Sequence, residues 1–351
     1  MFLDERKRRI LQAIIDDYID TAEPIGSRTI ARKHELGLSS ATIRNEMADL
    51  EEMGFLAQPH TSSGRVPSDK GYRLYVDQLM QKHELSTDEI EIIRVAMETR
   101  INELSQLIRQ ASAVLSRFTR YTSMATTPQM KESVIKALQV VPVESGKALV
   151  VVVTNAGVVR NNLVKISESI APDMLIQISN ILHKKLSGLT IEQVNMRIIS
   201  EIAREADIPG ELLLPILQSA ADCINQIDNA EVYIEGTTNI FNYPEFRDLV
   251  KAREFMSLLD EKSSLGKLLA DSADDAGIVV RIGSENDISG IKDCSLITAT
   301  YSLGPAFTGS IGIIGPTRME YPRVISSMNY IRKKINEEIN RLLGSGTGAD
   351  G

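Results

Sequence analysis

Residues 25–73 read IGSRTIARKHELGLSSATIRNEMADLEEMGFLAQPHTSSGRVPSDKGYR. Ser27 stands where a helix starts and Gly37 where it stops: a serine hydroxyl caps free amide groups, and glycine accepts the left-handed turn at a helix end. Ser39 or Ser40 caps the next helix, on which Ile43, Met47 and Leu50 share one face. After Gly54, Phe55 to Gln58 reads as a strand, Pro59 to Gly64 as a turn and Arg65-Val66 as the return. Upstream, Leu3, Ile10, Leu11, Ile14, Ile15 and Tyr18 recur at helical spacing, and Glu23-Pro24 ends that first helix because proline lacks an N–H. Helices followed by a polar hairpin with an arginine at its tip form the pattern of a winged helix-turn-helix that meets duplex DNA.

The outward face of the third helix carries Ala41, Asn45, Ala48 and Glu52, with Thr42 and Arg44 at its borders. The two alanines allow close approach to base edges. Asn45 matches the donor and acceptor of adenine, and Arg44 suits guanine or a phosphate. Asp49, Glu51 and Glu52 crowd the C-terminal half, so only the N-terminal end, from Ser40, suits a groove lined by phosphates. Thr61, Ser62 and Ser63 offer hydroxyls from the hairpin, beside His60, and Arg65 suits a narrow minor groove. Lys70 and Arg73 on the following helix reach for the flanking backbone. The expected interface is thus Ser40, Thr42, Arg44, Asn45, His60, Thr61, Ser62, Arg65, Lys70 and Arg73.

Charge alone does not decide for DNA. Residues 1–80 hold 11 Lys and Arg against 13 Asp and Glu, a net of −2, and helix-turn-helix patterns also occur in modules that bind only protein. Arg28, Arg32 and Lys33 read equally well as a solvated helix face or as phosphate contacts. The whole chain of 351 residues carries −8, which argues against a polyanion-coating protein and fits DNA contact confined to one patch.

With 43% apolar residues and this length, two or three domains with real cores are expected. Cys223 and Cys294 lie far apart, fit no metal spacing and read as buried thiols of a reducing cytoplasm. The charged, helical N-terminus is unlike a signal peptide, and the longest apolar run, Ala148 to Val153, reads as a strand rather than a membrane span. Beyond a polar linker, a long helix is expected from about Asp88 to Arg117. Strands follow at Ser133–Val141, Lys147–Thr154 and Gly157–Lys165, the last two joined by an Asn-Ala-Gly turn. Helices then fill Ala171–Leu186, Ile191–Glu205 and Gly210–Ile227, and a strand returns at Glu231–Gly236. Further helices are read at Pro244–Asp260 and Ser263–Ala270, strands at Gly277–Gly283, Ser295–Leu303 and Gly309–Gly315, and a last helix over Tyr321–Leu343.

Strands on both sides of a helical block predict a multidomain α+β chain: a DNA-binding unit over 1–80, an α+β domain over 81–166 and 230–343, an inserted helical unit over 167–229, and a disordered tail over 344–351. Ile176, Ile178, Ile181, Leu182 and Leu186 exceed what one buried stripe needs, which points to a second chain covering part of the insertion.

Nothing in this remainder carries sharp chemistry. Gly304 to Ser310 imitates the glycine spacing of a P-loop but has Ser310 where the lysine belongs, and Gly309, Gly312 and Gly315 are not a dinucleotide fingerprint. His83 and His183 lack neighbouring ligands, and no nucleophile set can be placed. No catalytic, cofactor or metal residue is therefore expected. Arg318 reads as a partner for an acid such as Glu320 or as part of a domain interface.

The stretch from Ser27 to Leu79, together with TNIFNYPEF (Thr238–Phe246), IGSEN (Ile282–Asn286) and the glycine-spaced strand ending in GPTRMEY (Gly315–Tyr321), resembles the HrcA family of bacterial heat-inducible transcription repressors. Ser63 and Ser68, where relatives often carry Ala and Thr, are conservative departures. The resemblance implies a GAF-like main domain and an inserted dimerising element. It also implies a homodimer on double-stranded DNA at an inverted-repeat operator upstream of chaperone genes, with the GroE chaperonin keeping the repressor active. A metabolite-sensing regulator that uses a pocket of the GAF-like domain is the alternative.

Overall fold

A computed structural model describes residues 3–60, 63–97, 104–128, 133–155, 158–168, 171–205, 210–228, 231–271, 277–302 and 308–344. Helix α1 (Glu5–Thr21) starts on Asp4, whose carboxylate accepts the Lys7 N–H at 2.8 Å, and ends at Ala22 in the left-handed region. Helices α2 (Ser27–Lys33) and α3 (Ser40–Glu52) follow; the Ser39 hydroxyl caps α3 by accepting the Thr42 N–H at 3.1 Å. Ile30, Ile43 and Leu50 bury completely against Ile10 and Ile14 of α1. Strands β1 (Leu56–Ala57) and β2 (Val66–Pro67) pair antiparallel, Leu56 with Pro67 and Ala57 with Val66. Ile25 adds a third line to this ladder by exchanging two 2.9 Å hydrogen bonds with Arg65. Helix α4 (Asp69–Leu74) then runs into a wide turn ending at Leu79.

The expected long helix is two, α5 (Thr87–Met97) and α6 (Leu104–Thr119), with the residues between them outside the described ones. The main sheet has five antiparallel strands in the order β7-β3-β10-β9-β8. These are β3 (Thr122–Thr126), β7 (Val232–Glu235), β8 (Ile278–Ile282), β9 (Cys294–Ser302) and β10 (Thr308–Pro316). Helix α6 and the terminal α12 (Tyr321–Gly344) cover one face, where Ile297, Ile311 and Ile313 point; α10 (Leu249–Asp260) and α11 (Lys262–Asp271) cover the other, with Leu296 and Ile314. β10 is thus buried on both sides. β3 was not anticipated: its Thr-Ser-Met-Ala-Thr shows no apolar alternation, yet all five residues are buried, with Ser123 accepting from Ser112 at 3.1 Å.

The strands expected to belong to the main domain between residues 133 and 166 do not join its sheet. β4 (Ile135–Glu144), β5 (Lys147–Thr154) and β6 (Val159–Lys165) form a separate antiparallel sheet, β4-β5-β6. Their inward residues Leu138, Val140, Val150 and Val152 share one core with Leu175, Ile178 and Leu182 of α7 (Pro172–Leu186) and with Ile216, Leu217 and Ile224 of α9 (Gly210–Asp228). Helix α8 (Met196–Glu205) lies between those two. The inserted unit is therefore not helical alone: three helices cannot close a core of this size without the sheet. It leaves the main sheet after β3 and returns at β7, neighbours clasped by Thr127 N–H to the Glu231 carbonyl at 2.9 Å and Glu231 N–H to the Thr127 hydroxyl at 2.8 Å.

One apolar cluster runs without a break from Leu3 and Ile43 in the N-terminal unit, through Tyr72, to Met328 and Ile339 on α12.

Candidate nucleic-acid interface

The buried stripe of α3 fixes which side chains face outward. With Ile43, Met47 and Leu50 inside, Ala41, Arg44 and Asn45 are exposed, and among the described residues neither Arg44 nor Asn45 takes a hydrogen-bond or ion-pair partner. Ser40 and Thr42 are half-buried at the start of the helix. Between α3, the N-terminal end of α2 and the hairpin lies an open groove of about 490 Å³, lined by Arg28, Arg44 and Arg65 together with Ser27, Gln58 and Ser63. Arg28 and Arg44, beside an Arg65 whose charge Glu51 offsets, give the groove a local positive field that the net charge of the segment hides.

Three of the four acids of α3, Glu46, Asp49 and Glu51, have cationic partners; the exposed Glu52 has none among the described residues. Lys7 of α1 sets its Nζ 2.7 Å from Glu46 and 2.9 Å from Asp49, and Arg6 reaches Glu46 at 3.3 Å. The hydrogen bonds that Lys7 donates to Glu46 and Asp49 hold its ammonium above the usual lysine range. On the opposite flank Arg65 Nε donates to Glu51 at 2.8 Å.

That contact corrects the expectation of an arginine at the hairpin tip. Arg65 sits at the base of the return, clasped to Ile25 by its backbone and to Glu51 by its side chain. Gly64 allows this closeness: a Cβ there would stand 2.4 Å from the Ile25 carbonyl oxygen. His60 is exposed beside a tight turn in which the Ser63 hydroxyl accepts the His60 N–H at 3.0 Å and donates to its carbonyl at 2.7 Å. Thr61 and Ser62 lie outside the described residues. Lys33 is no free cation either, since it pairs with the buried Asp17, which also meets His34 at 3.2 Å.

Lys70 and Arg73 do not face the groove. Lys70 donates to the Met53 carbonyl at 2.8 Å and lies 4.5 Å over the Phe55 ring. Arg73 turns to the main domain, giving Nε to Glu285 at 2.8 Å and Nη2 to the Val280 carbonyl at 2.5 Å. Beside it Asp69 accepts the Ser284 N–H at 2.9 Å, and Tyr72 packs 6.0 Å from Tyr321. Arg318 pairs with Glu245, not Glu320, and donates to the Ile19 carbonyl of α1 at 3.0 Å. The three later motifs, NYPEF, IGSEN and GPTRMEY, therefore converge where the N-terminal unit meets the main domain. Sequence reasoning missed Lys7, Arg6 and the Ile25–Arg65 bridge; only the spacing of Lys7 from its cap Asp4 gave it any local prominence.

Comparison with known proteins defines the class first. The chain is 59% identical over 345 residues to the heat-inducible transcription repressor HrcA of Acetivibrio thermocellus, covering 98% of each, and 62% identical over 348 residues to that of Ruminiclostridium cellulolyticum, covering 99% of this chain and 100% of the relative. These relatives are named as transcription repressors, a regulator's role rather than an enzyme's. The family model described as HrcA protein C terminal domain matches residues 105–325. The chain belongs to the HrcA family of heat-inducible transcription repressors. A crystal structure described as a hypothetical protein matches with a TM-score of 0.67 at 22% identity, over 97% of this chain and 100% of that one, a likeness of fold. Among the described residues, no helix is long and apolar enough to cross a membrane.

Proposed function

We propose that residues 1–80 are a winged helix that places α3 in the major groove of an operator, with Arg44 and Asn45 reading bases, Ser40 and Thr42 at the backbone, and Arg28 joining the hairpin residues His60, Thr61, Ser62 and Arg65 along the phosphates. The observation that carries this reading is the unpaired Arg44–Asn45 face on a helix whose acids Glu46, Asp49 and Glu51 already have cationic partners. Lys70 and Arg73 are left out of the interface because, unlike Arg65, neither lines the groove.

In this reading the main domain, residues 81–128 and 231–343, is GAF-like, and the unit between them is the dimerising element. The outer face of its sheet supports that assignment. Cross-strand rows Val141–Leu149–Leu163 and Ala137–Val153–Val159 flank Gln139–Val151–Asn161, leaving Val141, Leu163 and Val159 exposed on a face whose polar residues in these rows are Gln139 and Asn161. The surplus apolar residues expected on α7 are mostly inside: Ile178, Leu182 and Leu186 are buried, and Ile176 is exposed. A two-fold dimer matches an inverted repeat and raises the effective concentration of the second reading head. The repressor acts in the cytoplasm on chaperone promoters, and the GroE chaperonin keeps it in the binding form.

The test is a footprint on an inverted-repeat sequence upstream of chaperone genes, with and without chaperonin. Two protected half-sites about 34–36 Å apart, or a multiple of that, are expected. Protection absent with and without chaperonin refutes the reading.

A further inference from the structure

We propose that Lys7 is a positioning residue for operator recognition: from α1 it masks the Glu46 and Asp49 carboxylates on the flank of α3 and so lets that helix approach the DNA phosphates. The proposal rests on the reading of α3 given above. Glu46 and Asp49 are three residues apart and share one flank, where two like charges repel. Asp49 also follows Asn45 by four residues, so it stands one turn along the same face as the proposed base-reading amide. The Asp49 side chain is 52% exposed, whereas Lys7 and Glu46 are 13% and 12% exposed. Duplex DNA brings a negative charge about every 1.7 Å of its axis, so an uncompensated carboxylate at that place opposes docking. One ammonium, 2.7 Å from Glu46 and 2.9 Å from Asp49, with Arg6 3.3 Å from Glu46, offsets both carboxylates; the same ammonium lies farther, 3.8 Å, from Asp4 at the start of α1. A lysine that only fastened α1 to α3 would serve with any carboxylate beneath it; this one bridges two acids on one flank of the reading helix.

The experiment uses the full chain and the footprinted inverted repeat. Lys7→Met is expected to weaken operator binding about tenfold at low salt, the deficit of like charges brought together at a rim. The deficit shrinks as salt rises, because the screening length falls from about 30 Å at 0.01 M to about 8 Å at 0.15 M. Lys7→Arg stays near the parent. The decisive variant is Lys7→Met combined with Glu46→Gln and Asp49→Asn, which lacks both the lysine and the charges it masks. Recovery to within about threefold of the parent supports masking. A triple variant as weak as Lys7→Met, a deficit that ignores salt, or Lys7→Met at full affinity overturns the proposal. If Lys7→Met melts too low to assay, the triple variant alone decides between these outcomes. Asn45→Ala is measured in parallel. Loss there with full affinity in Lys7→Met refutes the lysine alone; no loss in Asn45→Ala removes the reading of α3 and this proposal with it.

Discussion

Arg73 on α4 lays its guanidinium across the carboxylate of Glu285, 212 residues away in the chain, giving Nε to one oxygen at 2.8 Å and Nη2 to the other. The same side chain donates to the Val280 carbonyl and to Asp77 at 3.1 Å, so its donors are spent on the junction between the N-terminal unit and the main domain.

Because the pair is only partly covered, it is expected to contribute about 1–2 kcal/mol rather than the full value of a buried charge pair. A double-mutant cycle of Arg73→Ala and Glu285→Ala should show clearly non-additive losses in thermal stability. Strictly additive losses would mean that the two residues stabilise separate contacts.

Acid provides a second check on the same pair. Burial pushes the Glu285 carboxyl up, but the hydrogen bonds from Arg73 and the Ile282 N–H outweigh it and hold the group below its ordinary value of 4.5. A carboxylate depressed in the folded state gives its full stabilisation above that ordinary value and loses it as pH falls through the folded one. Between pH 5 and 3 the parent should therefore lose more stability than Glu285→Gln, in melting curves recorded across that range.

At the reading face the expectation is a loss of binding without a loss of fold. Asn45→Ala and Arg44→Ala should each cost about 1–3 kcal/mol on the operator and relax preference at one base position. Both residues are exposed and unpaired, so their melting temperatures should hardly move. Equal weakening on operator and random duplex would reassign the pair to phosphate contact.

Gly64 makes a prediction of the opposite kind. Gly64→Ala drives a methyl into the Ile25 carbonyl, which cannot yield without opening the Ile25–Arg65 ladder. Destabilisation of about 1–3 kcal/mol is expected from such overpacking, with faster amide exchange at Ile25 and Arg65. An unchanged exchange pattern would show that the hairpin has room there.

On the inserted sheet, Leu163→Glu together with Val141→Glu places charge on the outer face, two strands apart in one cross-strand row. Sedimentation should shift from dimer to monomer while circular dichroism stays constant, since both side chains already meet solvent in the single chain. A dimer that persists puts the interface elsewhere.

The face of α3 was legible because Ile43, Met47 and Leu50 repeat at helical spacing, which settles inside from outside without any tertiary knowledge. β3 was not: Thr122 to Thr126 is an inner strand of its sheet, yet its burial depends on neighbours such as Ser112 and Gly236 rather than on its own alternation. The grouping of strands was equally hidden, because alternation marks β4 to β6 as strands without saying which sheet they join. The fates of Arg65 and Arg73 could not be read locally either. Each has a cation's freedom on paper, and the acids that claim them, Glu51 and Glu285, are identified only by folding.

The apolar cluster that joins Ile43 behind α3 to Met328 and Ile339 on α12 makes the reading surface and the last helix a single cooperative unit. The polar contacts of Arg73, Asp69 and Arg318 lie beside this cluster and do not interrupt it. Loosening of the packing around α12, more than 270 residues downstream, is therefore expected to reach the exposed Arg44 and Asn45 as lost order, much as a slack hoop loosens every stave of a barrel.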